Sequence, residues 1–229
     1  MRKILISVLF TCMFTGSMFV FAALGQAGTW EYDFSKVSGN QWEKDWKVIA
    51  GEFEVADGAL TQTMPSADDN NAFRCLALTK WEIGDGTIEA KVKHIGAGLN
   101  DALIFYRMKD TDNGYASRLQ LDSYITVGKI TQGKHAHIKF VSTPVKADTW
   151  YIVKIELKDS TITVFVDDNE LVTVDDTFSL KGSVGFGMSR CAGGASLEWI
   201  RVTGTGVTPT AVAPTDKLTT TWSAIKISR

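Results

Sequence analysis

The 229-residue chain has little of what several fold and function classes require. It contains only 4 prolines, 3 cysteines and 3 histidines. It has no block of basic residues, and 24 basic against 26 acidic side chains give a formal net charge of −2. A surface without a basic patch disfavours nucleic acid and anionic lipid as partners. After residue 27, no apolar run approaches the ~20 residues of a membrane span. The sequence therefore predicts a protein with neither a nucleic-acid nor a membrane partner.

The first 27 residues have the features of an export signal. Arg2 and Lys3 form a charged start, and residues 4–21 form an apolar run that Gly16 and Ser17 interrupt. Residues 25–27, Gly-Gln-Ala, place small side chains where a signal peptidase cleaves. We therefore predict a signal peptide over residues 1–27 and a secreted or periplasmic protein that begins close to Gly28.

Export makes a disulfide bond feasible. Cys12 lies within the predicted signal, so the mature chain keeps Cys75 and Cys191. Disulfides persist in exported proteins, and we predict that these two residues pair. Two buried free thiols are the alternative, because an even number of cysteines fixes no geometry.

From Trp30 onward, hydrophobic residues recur with the period of β-strands. Residues 87–94, 151–158 and 162–167 alternate between apolar and polar, which is typical of strands with one buried face. Nine further segments predict strands: 52–56, 59–63, 73–78, 102–108, 115–122, 124–132, 135–141, 184–188 and 197–203.

The connections between these segments indicate hairpins. Turn-forming residues stand at 57–58, 112–114 and 167–169, where they tolerate positive φ. Short helical turns are expected only near residues 41–46. Many strands without crossover helices predict an all-β sandwich or jelly roll over residues 28–203, and the composition of 204–229 predicts a linker and tail.

Several segments resemble known families. The later strands resemble concanavalin A-like lectin/glucanase domains, in the stretches Trp150–Leu157, Thr161–Asp168, Gly182–Gly187 and Leu197–Val202. The opening is similar to the secreted 3-keto-disaccharide hydrolase-like family, in the stretches Tyr32–Phe34, Trp46–Val48 and Gly51–Leu60. The resemblance implies a concanavalin A-like jelly-roll β-sandwich of two antiparallel sheets, with a concave face on which relatives bind or cleave glycans.

The carboxylates expected of an enzyme in these families are absent from their positions. Glucanases of the superfamily carry Glu-x-Asp-x-x-Glu on a strand, so that two carboxylates flank the glycosidic bond, and this spacing does not occur. The hydrolase-like family resembles the chain at Gly114-Tyr115, but Ala116 follows where that family has glutamate.

We therefore predict an exported, non-catalytic module that binds a glycan or glycoside. A hydrolase acting on glycosides and a structural module of an extracellular assembly are the alternatives, and the oligomeric state is left open.

A candidate binding site lies on the predicted strand over 115–122. Strand periodicity places Arg118, Gln120 and Asp122 on one face. If the hairpin closes through residues 112–114, Arg107 lies beside Arg118, with Asp122 as the counter-charge. Guanidinium and amide groups suit sugar hydroxyls, and Tyr115 offers a ring for stacking. These five residues form the predicted glycan site, and a solvated sheet face is the alternative.

Other residues are weaker candidates for ligands. His135 and His137 share a strand face, but no third metal ligand follows at a readable spacing. Residues 68–71 and 110–114 supply oxygens that suit calcium, although neither has the full twelve-residue pattern, and turn formation is the alternative role. No cofactor is predicted, with calcium left open.

The tryptophans suggest a second source of stacking rings. Trp150 and Trp199 lie in alternating strands and fit the core, whereas Trp42, Trp46 and Trp81 stand among polar residues. We expect the latter three to be partly exposed, as sugar-stacking rings or as a cover over the sheet edge.

Overall fold

The computed structural model describes residues 27–62, 75–96, 101–188 and 193–207. This part of the chain forms fifteen strands and two 3-10 helices, Phe34–Lys36 and Gly39–Lys44. The strands are β1 Gly28–Asp33, β2 Trp46–Ala50, β3 Phe53–Ala56, β4 Ala59–Gln62, β5 Cys75–Ile83, β6 Gly86–His94, β7 Asp101–Met108, β8 Gly114–Gln120, β9 Tyr124–Thr131, β10 Lys134–Ser142, β11 Trp150–Lys158, β12 Thr161–Val166, β13 Asn169–Asp175, β14 Gly182–Met188 and β15 Ala195–Gly204.

The strands assemble into two antiparallel sheets. The eight-stranded sheet has the order β13-β12-β11-β6-β15-β4-β3, and β1 also pairs with β15. The seven-stranded sheet has the order β10-β9-β8-β7-β14-β5-β2. The two sheets pack as a sandwich, which confirms the predicted all-β fold class.

One hydrophobic core fills the space between the sheets. Ile88 and Val92 of the eight-stranded sheet belong to the same buried cluster as Ile104, Tyr106 and Leu119 of the seven-stranded sheet. The residues that alternate with the latter three point to the opposite side, which we call the outer face of the seven-stranded sheet. A second buried cluster lies there, formed by Leu78, Leu103, Phe105, Met108, Ala116 and Ile130.

The sequence predicts twelve of the fifteen strands, with shifted ends, and misses β1, β2 and β13. Two of the missed strands, β1 and β2, pair with distant segments: Gly28 lies opposite Gly204, and Trp46 lies opposite Thr79. The predicted hairpin turns at 57–58, 112–114 and 167–169 all connect paired strands. The helical turns expected near 41–46 correspond to the 3-10 helix Gly39–Lys44.

Several predictions fall outside the described residues. These residues include neither the predicted signal before residue 27 nor the segment 208–229. The backbone of Cys75 lies opposite Met188 in the sheet, but Cys191 is not among the described residues, so the disulfide stays a prediction. Within the described ranges, no helix is long and apolar enough to cross a membrane.

Candidate functional site

The register of β7 to β10 places polar and aromatic side chains in two adjacent rows on the outer face. One row contains Asp101, Gln120 and Tyr124. The next row contains Leu103, Arg118, Thr126 and Phe140. The predicted partners Arg118 and Gln120 therefore do share one face of β8, and neighbouring strands add further side chains to it.

A buried ion pair holds the guanidinium of Arg118. Its Nη1 lies 3.4 Å from Oδ2 of Asp101, and the two side chains are 6% and 0% exposed. Asp101 is the first residue of β7 and lies opposite Gln120. Asp101, and not the predicted Asp122, thus provides the counter-charge of Arg118.

Two polar atoms that β8 contributes to this cluster have no hydrogen-bond partner in the described part of the chain. Among the described residues, none forms a hydrogen bond with Arg118 Nε or Gln120 Oε1, although both atoms are buried. A buried donor or acceptor without a partner costs about 1–3 kcal/mol. One donor and one acceptor on the same strand face are the complement of a hydroxyl group, which can accept and donate at once.

His135 extends the cluster towards the edge strand β10. Burial lowers the pKa of its imidazole to about 3, and the positive charge of Arg118 and the nearby His137 act in the same direction. The ring lies against the backbone of β9, since a Cβ at Gly128 would stand 1.8 Å from His135 Nε2. His135 is therefore a neutral ring near Arg118 at physiological pH.

Three aromatic side chains continue the outer face at its edge, and we call Tyr124, His137 and Phe140 the edge aromatics. The ring centroid of His137 lies 5.0 Å from that of His135 and 5.4 Å from that of Tyr124. The Tyr124 and Phe140 centroids are 5.7 Å apart. From the sequence, His137 is only a weak candidate for a metal ligand, and neither Tyr124 nor Phe140 is predicted at the site.

Arg107 does not lie beside Arg118, which corrects the expected position. Its backbone has φ +48°, which breaks the strand alternation at the end of β7. The buried guanidinium donates to Gly84 O at 3.1 and 3.2 Å and to Asp159 O at 2.9 Å, and it pairs with Asp85. Burial lowers the pKa of Arg107 from its ordinary value, while the Asp85 carboxylate opposes that change. Arg107 ties the end of β7 to the turn between β5 and β6, which connects the two sheets, and to the turn between β11 and β12 of the other sheet.

Tyr115 also lies away from the polar cluster. Its ring is in the core, stacked on Tyr106 with centroids 5.9 Å apart. Its hydroxyl donates to Asp176 Oδ1 at 2.6 Å, and burial raises the pKa of Tyr115 to about 12. The ring faces the core because strand alternation puts residue 115 on the side opposite Arg118.

Asp122 occupies a turn and not a strand. β8 ends at Gln120, and Asp122 is exposed with φ +54° in the turn before β9. Its backbone N–H donates to Val145 O at 2.8 Å. Of the five predicted site residues, the structure brings together Arg118 and Gln120.

The tryptophans expected at the surface are mostly inside. Trp42 is 1% and Trp46 is 3% exposed, so the expectation for these two is wrong, while Trp81 is half-buried. Trp46 packs against Trp30 and Phe34, with centroids 6.1 and 5.7 Å apart. Polar neighbours in sequence did not reveal this burial because the aromatic partners come from β1 and the residue that follows it.

Trp150 and Trp199, expected in the core, are half-buried. The ammonium of Lys93 lies 4.7 Å from the ring centroid of Trp150, and the guanidinium of Arg201 lies 5.8 Å from that of Trp199. These cations cover ring faces that a ligand would otherwise meet.

Metal ligands do not gather in the described part of the chain. There, no group of three or more His, Cys, Asp or Glu side chains could hold a metal ion. The Asp110 carboxylate accepts hydrogen bonds from the Asp112 N–H at 2.8 Å and from the Asn113 amide at 2.9 Å. Asp110 therefore forms the turn between β7 and β8, and residues 68–71 lie outside the described ranges.

A cleft of about 340 Å³ lies at the opposite edge of the same sheet, around β2 and β5. Ile49 and Leu78 contribute apolar lining. Lys44 and Lys80 line the same cleft, and Lys80 is paired with Asp45 at 2.6 Å. Because this cleft lies away from Arg118 and Gln120, a substitution in it serves as a control for ligand binding at those two residues, and we call it the comparison cleft.

Comparisons with known proteins agree with this architecture. A family model described as 3-keto-alpha-glucoside-1,2-lyase-like domain matches residues 29–187. No curated protein matches the chain by sequence. The structure is similar to the carbohydrate binding module CBM66 from Bacillus subtilis, at 17% identity and a TM-score of 0.55, over 70% of this chain and 92% of that chain.

Two glucanases are similar at the same level. The Bacillus licheniformis beta-glucanase is 15% identical with a TM-score of 0.57, over 76% of this chain and 97% of that one. SCLam, a non-specific endo-beta-1,3(4)-glucanase from family GH16, is 9% identical with a TM-score of 0.58, over 78% and 91%. These similarities confirm the concanavalin A-like jelly-roll fold.

Proposed function

This chain belongs to the family of 3-keto-alpha-glucoside-1,2-lyase-like domains, and from that premise we propose that it binds a glycoside on the outer face of the seven-stranded sheet. One observation carries the proposal: Arg118 Nε and Gln120 Oε1 are buried on that face without a hydrogen-bond partner among the described residues. A sugar hydroxyl would accept from Nε and donate to Oε1, and so satisfy both atoms.

The surroundings of Arg118 favour binding of a neutral ligand. The charge of its guanidinium is already balanced by Asp101 at 3.4 Å, so the site offers hydrogen bonds and no net charge. The fold is shared with a protein named as a carbohydrate binding module and with glucanases, which supports a glycan as ligand. We further propose export to the periplasm or the cell exterior, on the basis of the signal-like residues 1–27.

The site is poorly equipped for the reaction that the family name describes. A 1,2-elimination removes the proton on C2, acidified by the C3 ketone, forms the C1–C2 double bond and expels the group on C1 with its oxygen. A general base works best with a pKa near the working pH, whereas the pKa of His135 is about 3. The Asp101 carboxylate is committed to Arg118, and Ala116 has no functional group. We therefore propose binding without turnover.

Lyase activity is the second candidate, because the family match spans most of the described fold. It is tested by incubating the purified protein with a 3-keto-glucoside that carries a chromogenic aglycone. Release of the aglycone together with an unsaturated 3-keto sugar would replace the binding-only proposal. An inert mixture in which the same compound is bound would support it.

Binding is tested by a glycan array followed by calorimetry on the best ligand. We expect a dissociation constant between micromolar and millimolar, about −8 to −4 kcal/mol. The variant Gln120→Leu keeps the Arg118–Asp101 pair and should weaken binding about tenfold. Lys44→Gln in the comparison cleft should leave it unchanged. An array without any ligand, or equal affinities for Gln120→Leu and the parent protein, would overturn the assignment.

A further inference from the structure

The exposure of Phe140 is unusual for an aromatic side chain. It is 61% exposed, the largest value among the large hydrophobic side chains in the described part of the chain. The core cluster between the sheets does not contain it. A single exposed ring is common on protein surfaces, so Phe140 is informative only together with the aromatic rings beside it.

The edge aromatics form a supported group of rings. Tyr124 lies between the other two, 5.4 Å from His137 and 5.7 Å from Phe140, and the latter two are 6.4 Å apart. The hydroxyl of Thr126 donates to Lys139 O at 2.7 Å and lies 3.1 Å from His137 Nδ1. This contact holds the His137 ring in place without a ligand.

The edge aromatics are continuous with the polar site. Tyr124 lies directly opposite Gln120. Phe140 lies opposite Thr126, which in turn lies opposite Arg118. Neighbouring strands are about 4.8 Å apart, and Phe140 and Arg118 are separated by one strand. Their Cα atoms are therefore about 10 Å apart, with both side chains on the same face. A disaccharide is long enough to touch both.

We propose that the edge aromatics bind the C–H face of one pyranose ring of a saccharide whose adjoining unit places hydroxyl groups at Arg118 and Gln120. The inference rests on the proposed glycoside-binding function and deepens it. The faces of aromatic rings carry partial negative charge, which attracts the slightly positive C–H groups of a sugar. Because β10 is the edge strand of its sheet, further sugar units can continue past Phe140 into solvent. The site therefore takes oligosaccharides, bound from the edge of the sheet inwards.

Saturation-transfer-difference NMR tests this contact directly, with methyl α-D-glucopyranoside and maltose as probes. We expect signals from ring C–H protons in the parent protein. Phe140→Ala and Tyr124→Ala should reduce these signals and weaken affinity for maltose about tenfold. Phe140→Tyr keeps the ring and should retain both. Ile152→Ala, at an exposed hydrophobic residue of β11 in the other sheet, is the matched control and should behave like the parent.

The outcomes separate this inference from the function on which it rests. If maltose binds and Gln120→Leu weakens it, but Phe140→Ala and Tyr124→Ala do not, the aromatic contact is overturned and the polar site stands. If neither probe binds the parent protein, both proposals fail for glucosides. Circular dichroism of each variant shows that the fold is intact.

Discussion

Arg118 and Asp101 bring opposite charges into a part of the protein that is almost closed to water. Taking a charge out of water is costly, and the cost is offset only while the opposite charge remains. Replacing either Arg118 or Asp101 by a neutral residue should therefore destabilise the protein around the candidate site. The pair is made by Nη1 at 3.4 Å, and Arg118 Nε has no hydrogen-bond partner among the described residues.

We expect Asp101→Asn to lower the free energy of unfolding by about 3 kcal/mol, because it leaves a buried guanidinium without its counter-charge. Urea denaturation at neutral pH measures the change. Asp122→Asn is the matched control: Asp122 is exposed in a turn, and asparagine tolerates its positive φ, so the expected change is within about 0.5 kcal/mol. Equal stabilities of the two variants would contradict the importance of the pair.

Arg107 is expected to act on stability and not on sugar binding. Arg107→Lys replaces a planar donor that reaches Gly84 O and Asp159 O by a single ammonium. We expect a loss of about 2–3 kcal/mol. Calorimetry with the best glycan should give an unchanged dissociation constant for the folded variant. Arg201→Lys at an exposed ion pair should cost less than about 1 kcal/mol.

For single residues, the two-residue alternation of a strand was sufficient to place Arg118 and Gln120 on one face, because β8 is regular. It failed at Arg107, since a positive φ at a strand end is not visible in hydrophobic alternation. Asp101 was missed although the sequence offers a signal: a carboxylate directly precedes the apolar run Ala102–Phe105. Tyr124 and Phe140 could not be placed because their relation to β8 depends on a register across three strands.

Among the elements, β7 and β8 differ most from the simple strand pattern. Every residue of both strands is buried, so neither presents the solvent-exposed face that alternation predicts. The apolar run of β7 and the alternation in β8 still indicated strands. β13 was missed because it follows a two-residue turn and only Val172 and Val174 are buried in it.

One carboxylate joins several of these elements. Asp176 accepts the Tyr115 hydroxyl from β8 and the Phe178 N–H, and pairs with Lys129 of β9 at 2.5 Å. Burial alone would raise the pKa of Asp176, but the hydrogen bonds from Lys129, Tyr115 and Phe178 lower it below the ordinary 3.8. The carboxylate thus stabilises the folded state above the unfolded pKa, and this contribution is lost as pH falls through the folded pKa.

We expect Asp176→Asn to destabilise the protein by about 1–2 kcal/mol at pH 7. The difference from the parent should shrink below pH 3.8 and vanish at lower pH, because the parent carboxyl is then also neutral. Denaturant unfolding over a pH series measures it. A difference that stays constant with pH would mean that the amide disturbs packing and that charge is not the cause.

At the scale of the whole molecule, the first and the last strand of the described chain are neighbours, because β1 pairs with β15. The sequence placed the end of the domain at residue 203, but packing continues further: Val207 belongs to the core cluster, and Gly84 N–H donates to Thr205 O. The predicted strands and turns were sufficient to indicate the general architecture. They were not sufficient to indicate where the domain ends, because the last residues of the domain contact residues more than a hundred positions earlier.

Two truncations test this boundary. Ending the chain after Val207 should leave the melting temperature nearly unchanged, since the Thr- and Pro-rich start of the removed segment, residues 208–215, provides little apolar surface. Ending it after Gly204 removes a buried valine, worth about 1.5–3 kcal/mol, and should lower the melting temperature by several degrees. Calorimetry of both proteins is the measurement. A large drop for the longer of the two truncated proteins would show that residues after 207 contribute to folding.

The irregularity of β10 has a consequence for how molecules meet each other. A regular edge strand that exposes Ile138 and Phe140 would be a template for a strand from a second copy. The pairing of β10 with β9 shifts between His137 and Lys139, and the bulge disturbs the straight ladder that such a strand would need. Lys139 also donates to Thr173 O of the other sheet. The bulge therefore lets the edge keep an exposed aromatic ring while discouraging aggregation through that edge.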